Sequence, residues 1–310
     1  MRMKFGLGLP ALILYPPVTS DWERQASPAD ILRIARRADD LGFHWLVIPE
    51  HIVMPAEMVE IMGPRYPEGF AAAAFLAGAT SRVHMLTYIL VVPYRNPVIL
   101  AKQIATMDWF SGGRMTLGAG AGHLAREFDI LGVPFHERGA MTDEYLRAMK
   151  ELWTAEEPSF DGKYVRFDNV AFEPRPVQQP HPPLLIGGNS KPAMRRAAAL
   201  GDGWLPWLIR PEQLPDCLDY IRQQPAFQQR TGPFDVVMPL ARLNVEDYTH
   251  RELGKTEGPR GRDQIVETLG MMSEAGVTGA LVGPGRTRTP ERFLEWMDWF
   301  AEDVMPLFAD

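Results

Sequence analysis

The stretch Val83–Gly122, VHMLTYILVVPYRNPVILAKQIATMDWFSGGRMTLGAGAG, holds one complete strand–helix–strand unit. A β-branched, apolar run ends at Val92-Pro93, and Asn96-Pro97 then opens an apolar-periodic helix. Ser111-Gly112-Gly113-Arg114 makes the turn, and a second short strand opens into Gly118-Ala119-Gly120-Ala121-Gly122. In parallel α/β proteins such a glycine-rich mouth is where ligands bind, because bare backbone N–H groups can close on an anion. A dinucleotide fingerprint has a different spacing and opens its own βαβ unit, whereas G-x-G-x-G here sits mid-chain between other βα pairs.

Outward from this unit the rhythm of strand then helix repeats. Strands are predicted at Phe5–Leu9, Trp45–Pro49, Leu184–Gly187, Gly203–Pro206, Val236–Val245 and Gly279–Val282. Helices are predicted over Phe70–Thr80, Gly139–Trp153, Pro192–Leu200, Glu212–Arg222, Gly261–Ala275 and Pro290–Met305. Ser27-Pro28-Ala29-Asp30 starts a further helix with an N-cap, a first-turn proline and an acid at the third position, and Gly42 ends it. His123–Glu137 reads as a long connection. Ser159–Pro183, rich in Pro, aromatics and charge, breaks the rhythm as a hairpin or extended excursion. Eight strand–helix pairs in 310 residues favour an α/β fold of the (β/α)8 (TIM) barrel type, one domain over 1–310 with an insertion at about 155–183, after the fourth helix.

Composition narrows the function. A net charge of −7 argues against a nucleic-acid partner, which would want a basic face. No stretch approaches the roughly 20 apolar residues of a membrane span, and the N-terminus enters a strand with no apolar signal core. One cysteine, Cys217, rules out an intrachain disulfide and suits a reducing compartment, so a soluble cytoplasmic protein is expected. No metal motif is present: there is no His-Glu-x-x-His and no His-x-His after the first strand.

In a (β/α)8 barrel the chemistry sits at the carboxyl ends of the strands. Those ends include Glu50-His51, Tyr88–Pro93, Gly118–His123, Gly187–Ser190, Trp204–Trp207, Asn244 and Gly283–Gly285. Gly187-Gly188-Asn189-Ser190, ahead of Lys191-Pro192, puts free amides, a hydroxyl and a carboxamide at a helix start and reads as a phosphate seat; an ordinary N-cap needs only Asn189 or Ser190. His51 and His123 are candidates for proton exchange near neutrality. Trp204 and Trp207 either wall a pocket for a flat ring or pack under the rim. Met54, Met58 and Met62 suggest a loose apolar lid. His44, His84, His136, His181 and His250 read as surface or structural.

These residues carry a resemblance. Pro49-Glu50-His51, the Leu90–Pro97 segment, Leu100-Ala101-Lys102 with Met107-Asp108, Ser111–Arg114, Gly118–Gly122, Glu127-Phe128 with Leu131-Gly132, Pro183–Gly188 and Gly201–Trp204 resemble, in order and spacing, the bacterial luciferase-like superfamily. The match covers nearly the whole chain and is strongest to the subgroup of probable oxidoreductases dependent on coenzyme F420, an 8-hydroxy-5-deazaflavin. The resemblance implies a barrel with an insertion and a non-proline cis peptide at Tyr88-Ile89, beside Thr87 and behind the central flavin ring. It implies a cofactor phosphate near Gly188, Asn189 and Ser190, with Gly120, Ala121, Gly122 and Arg138 nearby; Gly187, from the double-glycine helix start, and Trp207, from the aromatic pair, join them as candidate cofactor contacts. It also aligns His51 with a histidine used in catalysis, oriented by Glu50 or a backbone group, and leaves His123 to contact the substrate.

Two departures matter. His123 stands where sugar-phosphate dehydrogenases of the superfamily carry a catalytic glutamate, which disfavours glucose 6-phosphate as substrate. Ala121 stands where luciferase has an arginine for the flavin phosphate, which disfavours FMN. The expectation is an oxidoreductase moving a hydride between F420 and a small, moderately hydrophobic organic substrate. The alternatives are an FMN-dependent monooxygenase using reduced flavin and O2, and a non-catalytic flavin-binding barrel. A homodimer is expected, with the Ala-rich Gly69–Ala79 helix available for packing.

Overall fold

Strand β1 (Lys4–Gly8) carries glycine at position 6 because a Cβ there would lie 2.7 Å from Leu281 and 3.3 Å from the Trp45 Cβ. Trp45 opens β2 (Trp45–Ile48) and plugs one end of a closed barrel, its indole N–H donating to Thr116 Oγ1 at 3.2 Å. In the computed structural model, which describes residues 3–16, 18–207, 209–240 and 261–309, eight parallel strands close the barrel. They are β1, β2, β3 (His84–Val91), β4 (Met115–Gly120), β7 (Leu184–Gly187), β8 (Gly203–Leu205), β9 (Asp235–Pro239) and β10 (Gly279–Val282), adjacent in that order. The helices are α1 (Pro28–Leu41), α2 (Val59–Met62), α3 (Gly69–Ala77), α4 (Pro97–Ser111), α5 (Ala125–Leu131), α6 (Arg138–Thr154), α7 (Lys191–Leu200), α8 (Leu214–Arg222), α9 (Pro225–Gln228), α10 (Arg262–Glu274) and α11 (Pro290–Asp303).

Two apolar layers result. Inside the barrel, Trp45, Leu86, Leu185, Leu205, Val237 and Leu281 meet, with Val47, Tyr88 and Ile89 packed against them. Between strands and helices lies the larger core, which α1 enters through Ile34, Ala35 and Ala38. The start of α1 is the expected capping box, Ser27 and Asp30 bonding each other's backbone amides, and Gly42 ends it at φ 82°. Gly112 and Gly113, at φ 69° and 85°, make the turn after α4.

Three expectations change. The connection after His123 contains the helix α5, too short for its 3.6-residue period to stand out. Strand β4 runs through Gly120, so Gly118 and Gly120 are buried strand residues and the open mouth contracts to 121–124. Gly118 is glycine because a Cβ would lie 2.1 Å from the Thr87 carbonyl. Of the strand expected at 236–245, β9 ends at Pro239; Asn244 and His250 lie outside the described residues.

The interruption after α6 is the antiparallel hairpin β5 (Phe160–Asp161) and β6 (Arg166–Phe167). Buried Glu144 on α6 accepts from the amides of Lys163, Tyr164 and Val165, and buried Asp108 on α4 accepts from those of Val177 and Gln178. Two α-helix carboxylates thus fasten the excursion to the barrel wall. Among the described residues, no helix is long and apolar enough to cross a membrane.

Candidate active site

The end of β2 delivers Glu50 and His51 to the carboxyl rim, both buried. The two side chains part company there. Glu50 accepts from Arg95 Nη2 at 2.6 Å and from the Val91 amide at 2.8 Å, so it ties β2 to the segment after β3 and does not orient His51. Burial pushes its carboxyl up, against the pull of Arg95.

His51 is held instead by Glu127 on α5, its Nδ1 lying 2.8 Å from Oε2. The carboxylate, fully buried, also accepts from the Ile52 amide at 2.6 Å, the Val53 amide at 3.1 Å and the Tyr94 hydroxyl at 2.7 Å. Burial raises the Glu127 carboxyl, but the hydrogen bonds from His51 and Tyr94, the charge interaction with His51 and the Val53 amide together carry it below its ordinary value. Ionised, Glu127 is an acceptor only, so Nδ1 carries a proton toward it, and in the neutral imidazole Nε2 is the nitrogen with the lone pair. Tyr66 stands edge-on to His51, ring centroids 4.7 Å apart, and the His123 ring lies 5.9 Å away.

Strand β3 supplies the floor. The Tyr88–Ile89 peptide is cis, where the resemblance puts it, and the β3–β4 register shifts between Thr87 and Leu90. Ile89 lies over two glycines: a Cβ on Gly187 would fall 2.0 Å from its Cδ1, and one on Gly120 3.1 Å from its Cγ2. Thr87 is structural, its hydroxyl exchanging hydrogen bonds with the Gly118 carbonyl at 3.0 Å and amide at 3.1 Å.

Across the rim, Gly188 adopts φ 112°, and its amide donates to Leu205 O at 3.2 Å. The Asn189 carboxamide clasps the Trp207 backbone: Nδ2 donates to the carbonyl, and Oδ1 accepts from the amide at 2.9 Å. It is therefore a strut for the loop after β8 rather than a free donor. Trp207 in turn faces Tyr88, ring centroids 5.7 Å apart. Trp204 is fully buried and donates to Gly188 O at 2.8 Å, so it packs beneath the rim. Ser190 caps α7, accepting from Ala193 at 3.3 Å. At the mouth after β4, Gly122 has φ 79°, and Arg138 donates to its carbonyl at 3.2 Å and to Phe135 O at 2.9 Å.

The donor set facing the rim suits an anionic, flat-ringed cofactor. It offers the backbone amides just ahead of Pro192, the Ser190 hydroxyl and the remaining guanidinium N–H groups of Arg138, with Tyr88 and Trp207 as an aromatic wall. Residues 3–246 match the luciferase-like monooxygenase family model. The chain belongs to that family. An uncharacterized protein of Mycobacterium tuberculosis (strain ATCC 25618 / H37Rv) is 34% identical over 184 residues, 55% of this chain and 65% of that protein. The chain thus spans less than two thirds of that relative's length. Among solved structures, the monooxygenase RslO1 from Streptomyces bottropensis superposes with TM-score 0.78 at 24% identity, covering 99% of this chain and all of that one. An F420-dependent secondary alcohol dehydrogenase, in complex with an F420-acetone adduct, gives 0.76 at 18% identity over the full length of both. At such identities the likeness establishes the shared barrel.

The candidate residues gathered at the rim are thus His51, His123, Tyr88, Ile89, Gly120, Ala121, Gly122, Arg138, Gly188, Ser190 and Trp207. Glu50, Thr87, Gly187 and Asn189 stand there as supports for the backbone. Glu127 is the residue that spacing did not single out. Its one sequence signal was membership of the Glu127-Phe128 family mark.

Proposed function

We propose that this luciferase-like oxidoreductase moves a hydride between coenzyme F420 and a small organic substrate, His51 exchanging the proton that accompanies it. The observation that carries the reading is the His51–Glu127 pair at the barrel rim. A carbinol oxidised by hydride loss must also shed its hydroxyl proton, and His51 Nε2 is a base held for that task. In the reverse direction the same nitrogen, protonated, returns the proton to the carbonyl oxygen. Bound F420 supplies the hydride acceptor or donor.

The amides of Asn189 and Ser190, with Arg138, would hold the cofactor's anionic tail, and Tyr88 and Trp207 would flank its ring. Gly120 and Gly122 would shape the β4 end of that seat, a Cβ on Gly120 falling 3.1 Å from Ile89 and one on Gly122 2.7 Å from Phe128 and Val91. Ala121 brings no cation to the mouth, which supports the deazaflavin over FMN. The dehydrogenase similar in fold is F420-dependent by its own description. Titration of the protein with F420 and with FMN, followed by absorbance and fluorescence, decides the matter. Micromolar or tighter F420 binding is expected; preferential FMN binding with oxygen consumption overturns the assignment in favour of a monooxygenase, and binding of neither overturns both.

We also propose a homodimer through α3 and α4. These adjacent helices expose Phe75, Ile99, Trp109 and Phe110, an apolar surface of the kind that marks an interface. Light scattering should give a dimer mass, and Phe110→Glu a monomer; a monomeric wild type at tens of micromolar refutes this face.

A further inference from the structure

Beside the rim, a cavity of about 540 Å³ opens between the loop after β1 and the loop after α2. Leu12, Leu14, Ala26, Ile31, Arg65 and Tyr66 are among its walls, and among the described residues no carboxylate lines it. Its size lies within the range of small-molecule sites, about 300 to 1,000 Å³. Tyr66 is common to two places: it lines this cavity and stands edge-on to His51 at 4.7 Å. The cavity therefore abuts the proposed proton-exchanging imidazole with one ring between them.

Two features fix its walls. Buried Glu23 accepts from the Ala11 amide at 2.9 Å and the Ser20 amide at 2.7 Å, which folds the loop after β1 back on itself. Gly63, at φ 79°, lets its backbone press against Leu14, whose carbonyl oxygen would lie 1.9 Å from any Cβ there. The backbones of the two loops that border the hollow are consequently fastened. A preformed apolar hollow binds an apolar group without an ordering cost.

The polar wall groups are already engaged. Arg65 donates to Glu23 O at 3.3 Å and Arg24 O at 3.2 Å, and the Tyr66 hydroxyl donates to Met62 O at 2.8 Å. Burial, followed by the Glu127 charge, pushes the Tyr66 phenol up to about 12, so it presents a neutral ring. An occupant consequently meets aliphatic and aromatic surface.

We propose that this cavity receives the apolar body of a neutral carbonyl or carbinol substrate whose reacting carbon lies on the His51 side of Tyr66. This rests on the oxidoreductase reading above and names its substrate class.

The test uses linear methyl ketones from butan-2-one to dodecan-2-one, with dissociation constants measured by ligand-detected NMR on the cofactor-free protein. Affinity should rise about fourfold per added methylene and then level off once the cavity is filled. Ala26→Trp, which fills the hollow, should remove the dependence on chain length, and Ile31→Ala should move the levelling to longer chains. A flat wild-type series, or a slope unchanged in both variants, overturns the proposal. F420 and FMN binding titrated on the same samples separates the two readings: a chain-length slope without cofactor binding leaves the cavity assigned and sinks the redox function, and cofactor binding with a flat series does the opposite.

Discussion

Replacing Glu127 probes the imidazole from behind, and two variants differ in an instructive way. Glu127 accepts from four donors: His51 Nδ1, the Tyr94 hydroxyl and the amides of Ile52 and Val53. In Glu127→Ala the hydroxyl can rotate and the imidazole can move its proton, but the two amides cannot adapt. Each unpaired buried donor costs about 1–3 kcal/mol, so a loss of about 3 kcal/mol is expected, seen as a melting point lower by roughly 6–12 °C. Glu127→Gln is gentler, because its carbonyl oxygen can keep both amides. Its NH2 group then faces Tyr94 and His51, and only the tautomer protonated on Nε2 can accept from it. That tautomer offers substrate a donor where a base is needed. Turnover should therefore fall by about 10²–10⁴-fold, as in His51→Ala, with no further loss in the double variant, while stability changes by about 1 kcal/mol. Nitrogen-15 NMR of labelled histidine reads the tautomer directly and needs no substrate. A wild-type His51 protonated on Nε2, or a tautomer unmoved by Glu127→Gln, refutes the reasoning. There is also a pH signature. A carboxyl held below its ordinary 4.5 adds stability above that pH, and the gain is lost as pH falls toward the native value. Urea titrations between pH 7 and 3.5 should therefore show a shallower acid loss in Glu127→Gln than in the wild type.

Three further perturbations test the scaffold. Arg95→Met strands buried Glu50 without its cation and should cost about 3–5 kcal/mol, measured by chemical denaturation. Since burial already raises Glu50 above 4.5 and loss of Arg95 raises it further, the penalty should be smallest in acid and grow as pH rises beyond 4.5; a pH-independent loss counts against the pairing. Gly187→Ala drives a methyl group to within 2.0 Å of Ile89 Cδ1, so the Ile89 side chain must turn from its place over the barrel interior and cofactor affinity should drop about tenfold by fluorescence titration. Asn189→Ala releases both hydrogen bonds to the Trp207 backbone; cofactor affinity should weaken by about tenfold and Trp207 fluorescence should change, and unchanged affinity would show that the loop after β8 needs no strut.

The barrel was legible because its signals are local. Alternating βα elements, the Ser27–Asp30 cap, the Gly112-Gly113 turn and the Ser190 cap each state their conformation within a few residues. Placing His51 and Ser190 at one rim needed only the rule that parallel barrels gather strand ends. What stayed hidden depends on distance along the chain. Glu127 meets His51 across 76 positions, and Glu50 meets Arg95 across 45, so no spacing rule joins them. The neighbour Glu50 looked like the natural partner for His51, yet past the end of β2 the two side chains go to different partners, Glu50 to Arg95 and His51 to Glu127.

The glycines make the same point from the other direction. Gly118, Gly120 and Gly187 looked like one kind of residue, spared of side chains to admit a cofactor. In the fold, Gly118 is spared for the Thr87 carbonyl and Gly187 for Ile89. Their function reaches the site at one remove, by giving the β3 bulge room to project over the barrel interior. Gly122 and Gly188 differ, each taking a left-handed backbone just past a strand end. A bare backbone therefore serves two purposes here: the strand glycines shape the floor, and the rim glycines face what rests on it. An alanine scan should separate them, since Gly118→Ala, its methyl 2.1 Å from the Thr87 carbonyl, must disturb β3–β4 packing, whereas Gly188→Ala carries the strain of φ 112° and one contact with Ala193 at 3.2 Å, so it should lower the melting point less and cofactor affinity more. If both substitutions lowered the melting point alike and left affinity in step with folding, the division between floor and rim would be wrong.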